Sequence, residues 1–304
     1  MILLKVYVKL TCGVCRSTNS MEGKVIMVTG ANSGIGFETA KDLARRKGRV
    51  IIACRDKTRG TNAAETIIRE TGNPNVVMRQ LDLSSLDSVQ KFAADINATE
   101  ERLDVLIHNA GAVLGTEWTK DNLEVQFATN HFGPFLLNHL LLDLMKKSAP
   151  SRIVVLSSAM HHLAPLVFDL DNLNSDKYTR HPMLVYSSTK FANLLWVQEL
   201  AERLVGTGVT ANALHPGVVH TNFAWNVWKD FFVFLLKASI YLFEKNAKEG
   251  AQTSIYLAVA DEVRNVSGKY FSDCKPAWVS PSANEEKARK LWEMSEKLTG
   301  IAAV

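Results

Sequence analysis

The sequence predicts an α/β fold: a single domain with a doubly wound parallel sheet of about seven strands and helices on both faces. Short apolar runs, such as residues 25–28 and 49–54, have the length and composition of strands that are buried on both sides. Stretches with apolar residues at helical spacing alternate with these runs along the chain. With 304 residues and 47% hydrophobic content, the chain can bury one large core.

A glycine-rich turn follows the first predicted strand. Its glycines are spaced Gly-x-x-x-Gly-x-Gly, and an amphipathic helix begins within the turn. Glycine lets the backbone approach a ligand, and the free N–H groups and dipole of a helix N-terminus favour an anion. The turn therefore predicts a phosphate-binding site, with a tight turn that binds no ligand as the alternative. The residues assigned to it are Gly30, Asn32, Ser33, Gly34, Ile35 and Gly36.

Charge and cysteine content exclude several classes of function. The net charge of +4 comes from 35 basic and 31 acidic side chains that are scattered along the chain, which argues against nucleic-acid binding. Cys12 and Cys15 have the spacing of zinc or redox motifs, but no second pair accompanies them, so we interpret them as reduced thiols. His161 and His162 lack a third ligand. We therefore predict no bound metal and no disulfide framework.

Residues 1–22 are predicted to form an N-terminal arm. The first ten residues are apolar apart from Lys5 and Lys9, and a membrane-spanning helix needs about 20 apolar residues. A short segment that lies at a membrane surface and a plain arm both fit this composition.

Two further motifs carry chemistry. Tyr186 and Lys190 are four residues apart in a predicted helix, so the phenol and the ammonium project from one face. A nearby cation favours the phenolate and lowers the tyrosine pKa. Ser157 and Ser158 follow the fifth predicted strand, and ligands of open α/β sheets bind at the carboxyl ends of strands.

Together these motifs resemble the short-chain dehydrogenase/reductase family, and within it the microsomal type of retinol dehydrogenase. The resemblance covers residues 23–300 and includes His108-Asn109-Ala110-Gly111, where the family has Asn-Asn-Ala-Gly. It implies one Rossmann-like catalytic domain over residues 23–304. It also implies a catalytic set of Asn130, Ser158, Tyr186 and Lys190.

The resemblance implies a role for each catalytic residue. Tyr186 would donate a proton to a carbonyl oxygen, Ser158 would hydrogen-bond that oxygen, and Lys190 would lower the Tyr186 pKa and bind the nicotinamide ribose. Asn130 lies in a long apolar helix predicted over residues 122–147, where an unpaired amide would be costly. In the family the matching Asn breaks the helix and holds a water of a proton relay.

The expected cofactor is NADP(H). An acidic residue that would bind the ribose hydroxyls of NAD is missing at Cys54, and Arg55 follows, where an arginine suits a 2′-phosphate. Asp56 could instead pair with Arg55 or Arg59. Asp82 has an alternative role as N-cap of the next helix. The remaining cofactor contacts implied by the resemblance are Asp82, Leu83, Asn109, Ala110, Gly111, Tyr186, Lys190, Pro216, Gly217, Val219 and Thr221.

Residues 222–246 are rich in aromatic side chains and fall where the family places its substrate lid. An apolar lid implies an apolar substrate, which we expect to contact Phe231, Phe232 and Leu235 as well as Ser158 and Tyr186. A core helix, and a segment resting on a bilayer, are the alternatives.

We therefore expect an NADP(H)-dependent oxidoreductase that interconverts an apolar alcohol and its aldehyde or ketone, of the retinol and retinaldehyde type. The alternatives are a reductase of steroids, isoprenoids or lipid aldehydes, and a non-catalytic NADP-binding sensor. The expected partners are a small apolar substrate, a membrane surface contacted peripherally and a second copy of the chain. The expected location faces the cytosol, at the endoplasmic reticulum or lipid droplets.

Overall fold

The computed structural model describes residues 12–115, 117–174, 181–219 and 244–301. In this part of the chain, strands β1–β8 form one sheet in the order β3-β2-β1-β4-β5-β6-β7-β8. Strands β1–β7 are parallel, and β8 pairs antiparallel with β7. The predicted sheet is confirmed, with β8 added at its edge. The strands are β1 (Val25–Thr29), β2 (Arg49–Cys54), β3 (Val76–Gln80), β4 (Val105–His108), β5 (Ser151–Leu156), β6 (Val209–His215), β7 (Tyr270–Ser272) and β8 (Lys275–Pro276).

Helices cover both faces, as predicted. One apolar layer joins the sheet to α3, α5, α6 and α9, and the other joins it to α1, α2 and α8. Neighbouring β1 residues divide between them, with Met27 in the first layer and Ile26 and Val28 in the second. The helices are α1 (Gly34–Arg45), α2 (Lys57–Thr71), α3 (Leu86–Thr99), α4 (Val125–Phe127), α5 (Gly133–Lys147), α6 (Pro182–Arg203), α7 (Ala247–Gly250), α8 (Gln252–Val259) and α9 (Glu285–Thr299).

The helix predicted over residues 122–147 is not continuous. A π-helical turn, Ala128–Phe132, separates α4 from α5. Two 3-10 segments, Ala159–Leu166 and Leu170–Asn172, follow β5.

Capping residues fix where the helices near the glycine turn begin. The Asp56 side chain accepts from the Arg59 backbone N–H at the start of α2. Ser85 caps α3, so the alternative that Asp82 caps this helix is wrong. Asp82 lies three residues before this cap, and its Oδ1 accepts from the backbone N–H and the hydroxyl of Ser84 at 3.0 and 2.6 Å.

Several expectations fall outside the described residues. These are the proposed membrane contact of residues 1–11, residues 222–243 of the lid predicted over 222–246, and the assignments to Thr221, Phe231, Phe232 and Leu235. Among the helices described, none is both long enough and apolar enough to cross a membrane.

Candidate active site

The glycine-rich turn joins β1 to α1, as predicted. Gly30 and Gly34 have φ values of +66° and +60°, a left-handed conformation that favours glycine. A Cβ on Gly36 would lie 2.4 Å from Asn109 Nδ2 and 2.7 Å from the Gly30 carbonyl oxygen. Helix α1 begins at Gly34, and its first N–H groups have no acceptor within the helix. The turn can therefore present backbone donors to an anion.

The loop after β4 is fastened to this turn. Asn109 Nδ2 donates to the carbonyl oxygens of Thr29 and Gly30 at 2.8 and 3.3 Å. Thr29 Oγ1 accepts from the backbone N–H groups of Asn109 and Ala110 at 3.1 and 3.0 Å. Thr29 was not identified from the sequence, because a threonine at a strand end carries no particular signal.

Arg55 lies at the carboxyl end of β2, next to the buried Cys54. Its side chain is exposed, and among the described residues it forms no ion pair. The alternative that Asp56 pairs with the Arg55 side chain is not observed, because the Asp56 carboxylate caps α2. Arg55 can therefore meet an anion from solvent.

Ser158 and Tyr186 meet at the carboxyl end of β5. Ser158 Oγ accepts from the Met160 backbone N–H at 3.2 Å, and it also forms a hydrogen bond with the Tyr186 side chain. Tyr186 is 8% exposed. Burial raises the pKa of the Tyr186 hydroxyl, and the hydrogen bond from Ser158 acts in the opposite direction.

Lys190 completes this cluster. Its Nζ lies 5.5 Å from the centroid of the Tyr186 ring and donates to the Leu156 carbonyl oxygen at 2.9 Å. Burial lowers the pKa of Lys190 to about 8. The predicted shared helix face is confirmed. The expected lowering of the Tyr186 pKa by Lys190 was wrong: burial of the phenol raises this pKa, and the hydrogen bond with Ser158 is what acts against that rise.

Two neighbours hold Lys190 in place. Ser157 Oγ donates to the Lys190 carbonyl oxygen at 2.7 Å, which ties the end of β5 to α6. A Cβ on Gly111 would lie 3.2 Å from Lys190 Nζ, so the loop after β4 packs directly on the ammonium. Neither contact was predicted, because each joins segments far apart in the sequence.

Asn130 lies inside the π-helical turn, which confirms the local break implied by the resemblance. Its Oδ1 accepts from the Ala112 N–H at 2.8 Å. Its Nδ2 donates to the Ala112 carbonyl oxygen at 2.9 Å and to Thr189 Oγ1 at 3.2 Å. The side chain thus links the loop after β4 to the residue before Lys190.

Histidines support the segment after Ser158. His161 Nδ1 lies 2.6 Å from the Ser158 carbonyl oxygen, and since a carbonyl only accepts, this nitrogen donates. His215 Nδ1 accepts from the Ala159 N–H at 3.2 Å. Burial lowers the pKa of both imidazoles to about 4, so they are neutral near pH 7. No metal-binding group of three His, Cys, Asp or Glu residues occurs in the described ranges.

His108, where the resembled motif has Asn, is buried in the first apolar layer. Its ring lies 5.2 Å from that of Trp196 in an edge-on arrangement. Burial lowers the pKa of His108 to about 3, so it adds no charge near neutral pH.

The segment after β6 lies beside this cluster. Gly217 has a φ of +90°, and the Val218 carbonyl oxygen accepts from the Lys245 N–H at 2.7 Å. Pro216 and Val219 are also described, so the predicted segment is present up to Val219.

Comparisons with known proteins agree with this arrangement. The family model described as short chain dehydrogenase matches residues 24–167 and 174–231. The chain is 48% identical to retinol dehydrogenase 12 of Bos taurus over 291 residues, covering 95% of this chain and 90% of that one. It is 46% identical to retinol dehydrogenase 13 of Homo sapiens over 307 residues, covering 99% and 92%.

Solved structures show the same fold. An uncharacterised protein from Mycobacterium paratuberculosis matches with a TM-score of 0.74 at 34% identity, covering 95% of this chain and 98% of that one. L-Sorbose reductase from Gluconobacter frateurii matches with a TM-score of 0.68 at 18% identity, covering 84% and 96%. The fold, the extent of the family match and the identity to curated dehydrogenases place this chain in the short-chain dehydrogenase family of oxidoreductases.

Proposed function

We propose that this oxidoreductase uses NADP(H) to interconvert an apolar alcohol and its aldehyde or ketone, with retinol and retinaldehyde as the leading substrate pair. The observation that carries the proposal is the cluster of Ser158 with the buried Tyr186 and Lys190 at the carboxyl end of β5. The similarity to retinol dehydrogenases supports the choice of substrate.

The residues present fit a dinucleotide. The turn of Gly30, Gly34 and Gly36 offers backbone donors without side-chain obstruction, which suits a pyrophosphate. Arg55 is exposed and free of a carboxylate partner among the described residues, which suits the 2′-phosphate of NADP(H). No acidic side chain stands at Cys54 to favour NAD.

Bound NADP(H) supplies the hydride in reduction or accepts it in oxidation. Tyr186 holds the proton that the substrate oxygen gains in reduction, and its raised pKa keeps the phenol protonated near pH 7. Ser158 Oγ accepts from Met160 and is hydrogen-bonded to Tyr186, so its hydroxyl lies beside the proton donor, where it would stabilise negative charge on a substrate oxygen that binds there. Proton transfer of this kind contributes about 10²- to 10⁴-fold in rate.

Lys190 and Asn130 form the proposed route for replacing the proton. Because the pKa of Lys190 is about 8, both of its protonation states are accessible near neutral pH. The amide hydrogens of Asn130 are used by Ala112 and Thr189. A water that relays protons to Lys190 would therefore have to donate a hydrogen bond to a carbonyl oxygen of Asn130. Asn130 lies in the π-helical turn, where the hydrogen-bond pattern of the helix is shifted.

The apolar substrate is proposed from composition and from the relatives. Phe231, Phe232 and Leu235 belong to the aromatic segment that we assign to the lid. Steroids, isoprenoids and lipid aldehydes remain competing substrates on the same scaffold. We further propose a homodimer that faces the cytosol and contacts the endoplasmic reticulum or lipid droplets peripherally.

The test is NADPH oxidation with retinaldehyde, a steroid ketone, an isoprenoid aldehyde and a lipid aldehyde, with Tyr186→Phe as the inactive control. We expect the highest kcat/KM for retinaldehyde. A higher value for another substrate would replace retinaldehyde as the leading candidate. NADPH binding without turnover of any substrate would favour the non-catalytic sensor.

A further inference from the structure

An ion pair with a buried ammonium and a half-buried carboxylate lies beside the segment that follows β6. Lys245 Nζ is 2.6 Å from Asp273 Oδ1, and the lysine side chain is only 8% exposed. Removing an ammonium from water is unfavourable, and an ion pair repays this cost only in part. We therefore look for a role of this ion pair besides its contribution to the stability of the fold.

Lys245 holds the segment after β6 through its backbone and its side chain. Its N–H donates to the Val218 carbonyl oxygen at 2.7 Å, and Val219 forms a parallel bridge with it. A Cβ on Gly217 would lie 2.7 Å from Cδ, Cε and Nζ of Lys245. The lysine side chain thus occupies the space that a side chain at Gly217 would need. Gly217 also has a φ of +90°, a conformation that favours glycine, so both the backbone and the packing against Lys245 require a residue without a side chain here.

Asp273 fixes the other end of the pair. Asp273 and the following Cys274 have φ values of +52° and +58°, a left-handed conformation that is uncommon outside glycine. The carboxylate has a second partner, since Asp273 Oδ1 also accepts from the Gly13 N–H at 2.8 Å. One carboxylate oxygen therefore joins the N-terminal arm, the turn after β7 and, through Lys245, the segment after β6.

We propose that Lys245 and Asp273 are positioning residues that set the backbone of residues 216–219 for the nicotinamide end of the cofactor. The inference rests on the proposed function, which assigns this segment to the nicotinamide. Backbone groups can hydrogen-bond a carboxamide only when their directions are fixed, and the contacts of Lys245 with Gly217, Val218 and Asp273 restrict those directions. The glycine turn and Arg55 would hold the adenosine end of the cofactor, so changes to the pair should leave binding there unchanged.

The test compares NADPH with 2′-phospho-ADP-ribose, which has the adenosine end but no nicotinamide. Affinities of both are measured on full-length Lys245→Met and Asp273→Asn, together with melting temperature and the steady-state constants. Lys24→Met is the control, because Lys24 forms a 2.9 Å ion pair with Asp104 before the amino ends of β1 and β4, away from the carboxyl ends of the strands. Lys245→Arg, which keeps the charge, tests rescue.

Both variants should weaken NADPH binding or lower kcat/KM by about 10- to 100-fold, since small misplacements of a reactant have effects of this size. The affinity of both variants for 2′-phospho-ADP-ribose should change less than twofold. In Lys24→Met, both affinities and kcat/KM should change less than twofold. Lys245→Arg should recover most of the loss. If Lys245→Met fails to fold, Asp273→Asn provides the comparison, because that side chain is 38% exposed.

Equal weakening of NADPH and the fragment would overturn the inference, because it would show a general structural role. Unchanged NADPH binding and turnover in both variants would overturn it as well. Wild-type protein that binds neither compound would instead refute the proposed function, and the inference with it. The two failures are therefore distinguishable.

Discussion

Replacing Lys190 with methionine should stabilise the protein near pH 7 while abolishing turnover. The lysine is 3% exposed, and among the described residues its ammonium forms no ion pair. The difference between its ordinary pKa of 10.5 and about 8 corresponds to about 3 kcal/mol, at about 1.4 kcal/mol for each pH unit. Loss of the hydrogen bond to Leu156 removes about 1 kcal/mol of that gain, so the net stabilisation should be about 2 kcal/mol.

The stability difference between Lys190→Met and wild type should depend on pH. Below pH 8 the lysine is protonated in both the folded and the unfolded chain, so the full cost of burying the charge is present. Between pH 8 and 10.5 the unfolded chain binds this proton more tightly than the folded chain, so wild-type stability rises with pH. Lys190→Met lacks this titration, and its advantage over wild type should therefore disappear as the pH approaches 10.5.

The measurement is urea unfolding without cofactor at pH 7 and pH 10, with the free energies of unfolding compared between wild type and Lys190→Met. Lys147→Met is the control, because Lys147 is an exposed residue at the end of α5 and should show no such difference. A Lys190→Met protein less stable than wild type at pH 7 would refute the reasoning. So would a stability difference that does not change with pH.

Three further substitutions test separate parts of the site. Tyr186→Phe removes only the proton donor, so turnover should vanish while NADPH affinity, measured by fluorescence titration, stays within about twofold; substantial residual turnover would contradict the role. Arg55→Ala should weaken NADPH by about 1.5–3 kcal/mol and NADH little, and equal losses would mean a structural role. Gly36→Ala drives a Cβ against Asn109 and should cost about 1–3 kcal/mol of stability and cofactor affinity, whereas Gly115→Ala, which meets no atom within 4 Å, should be neutral in thermal melts.

The fold was predictable because its signals are local. Buried parallel strands are continuous apolar runs, and the glycine turn marks the first of them, so the layered sheet follows from the pattern alone. Strand β8 has two residues, Lys275 and Pro276, and pairs only with β7 at the edge of the sheet. Such a short, exposed pair has no apolar period to detect.

The site was predictable where spacing decides which side chains meet. Tyr186 and Lys190 share a face because they lie one helical turn apart, and Ser158 follows because a strand ends before it. The pKa of Tyr186 was not predictable, because it depends on burial by surrounding segments. Thr29, Gly111 and Ser157 were likewise missed as supports, since their partners are distant in sequence.

The same reasoning explains why Lys245 and Asp273 are invisible in the sequence. They are 28 residues apart, and Gly13 reaches Asp273 across 260 residues, so no local period links the three. Lys245 and Asp273 are recognisable in the structure by features that reduce stability, which are a buried ammonium and a non-glycine residue in the left-handed region.

Two other residues also have features that reduce stability. Lys190 is buried without a carboxylate partner in the described residues, and Asn130 lies in a π-helical turn. Features that reduce stability persist where the surrounding structure enforces them, which commonly happens at functional sites. These residues contact segments at the carboxyl ends of β4, β5, β6 and β7, which supports the proposal of one continuous site from Tyr186 to Asp273. Stability and activity should therefore respond in opposite directions to Lys190→Met.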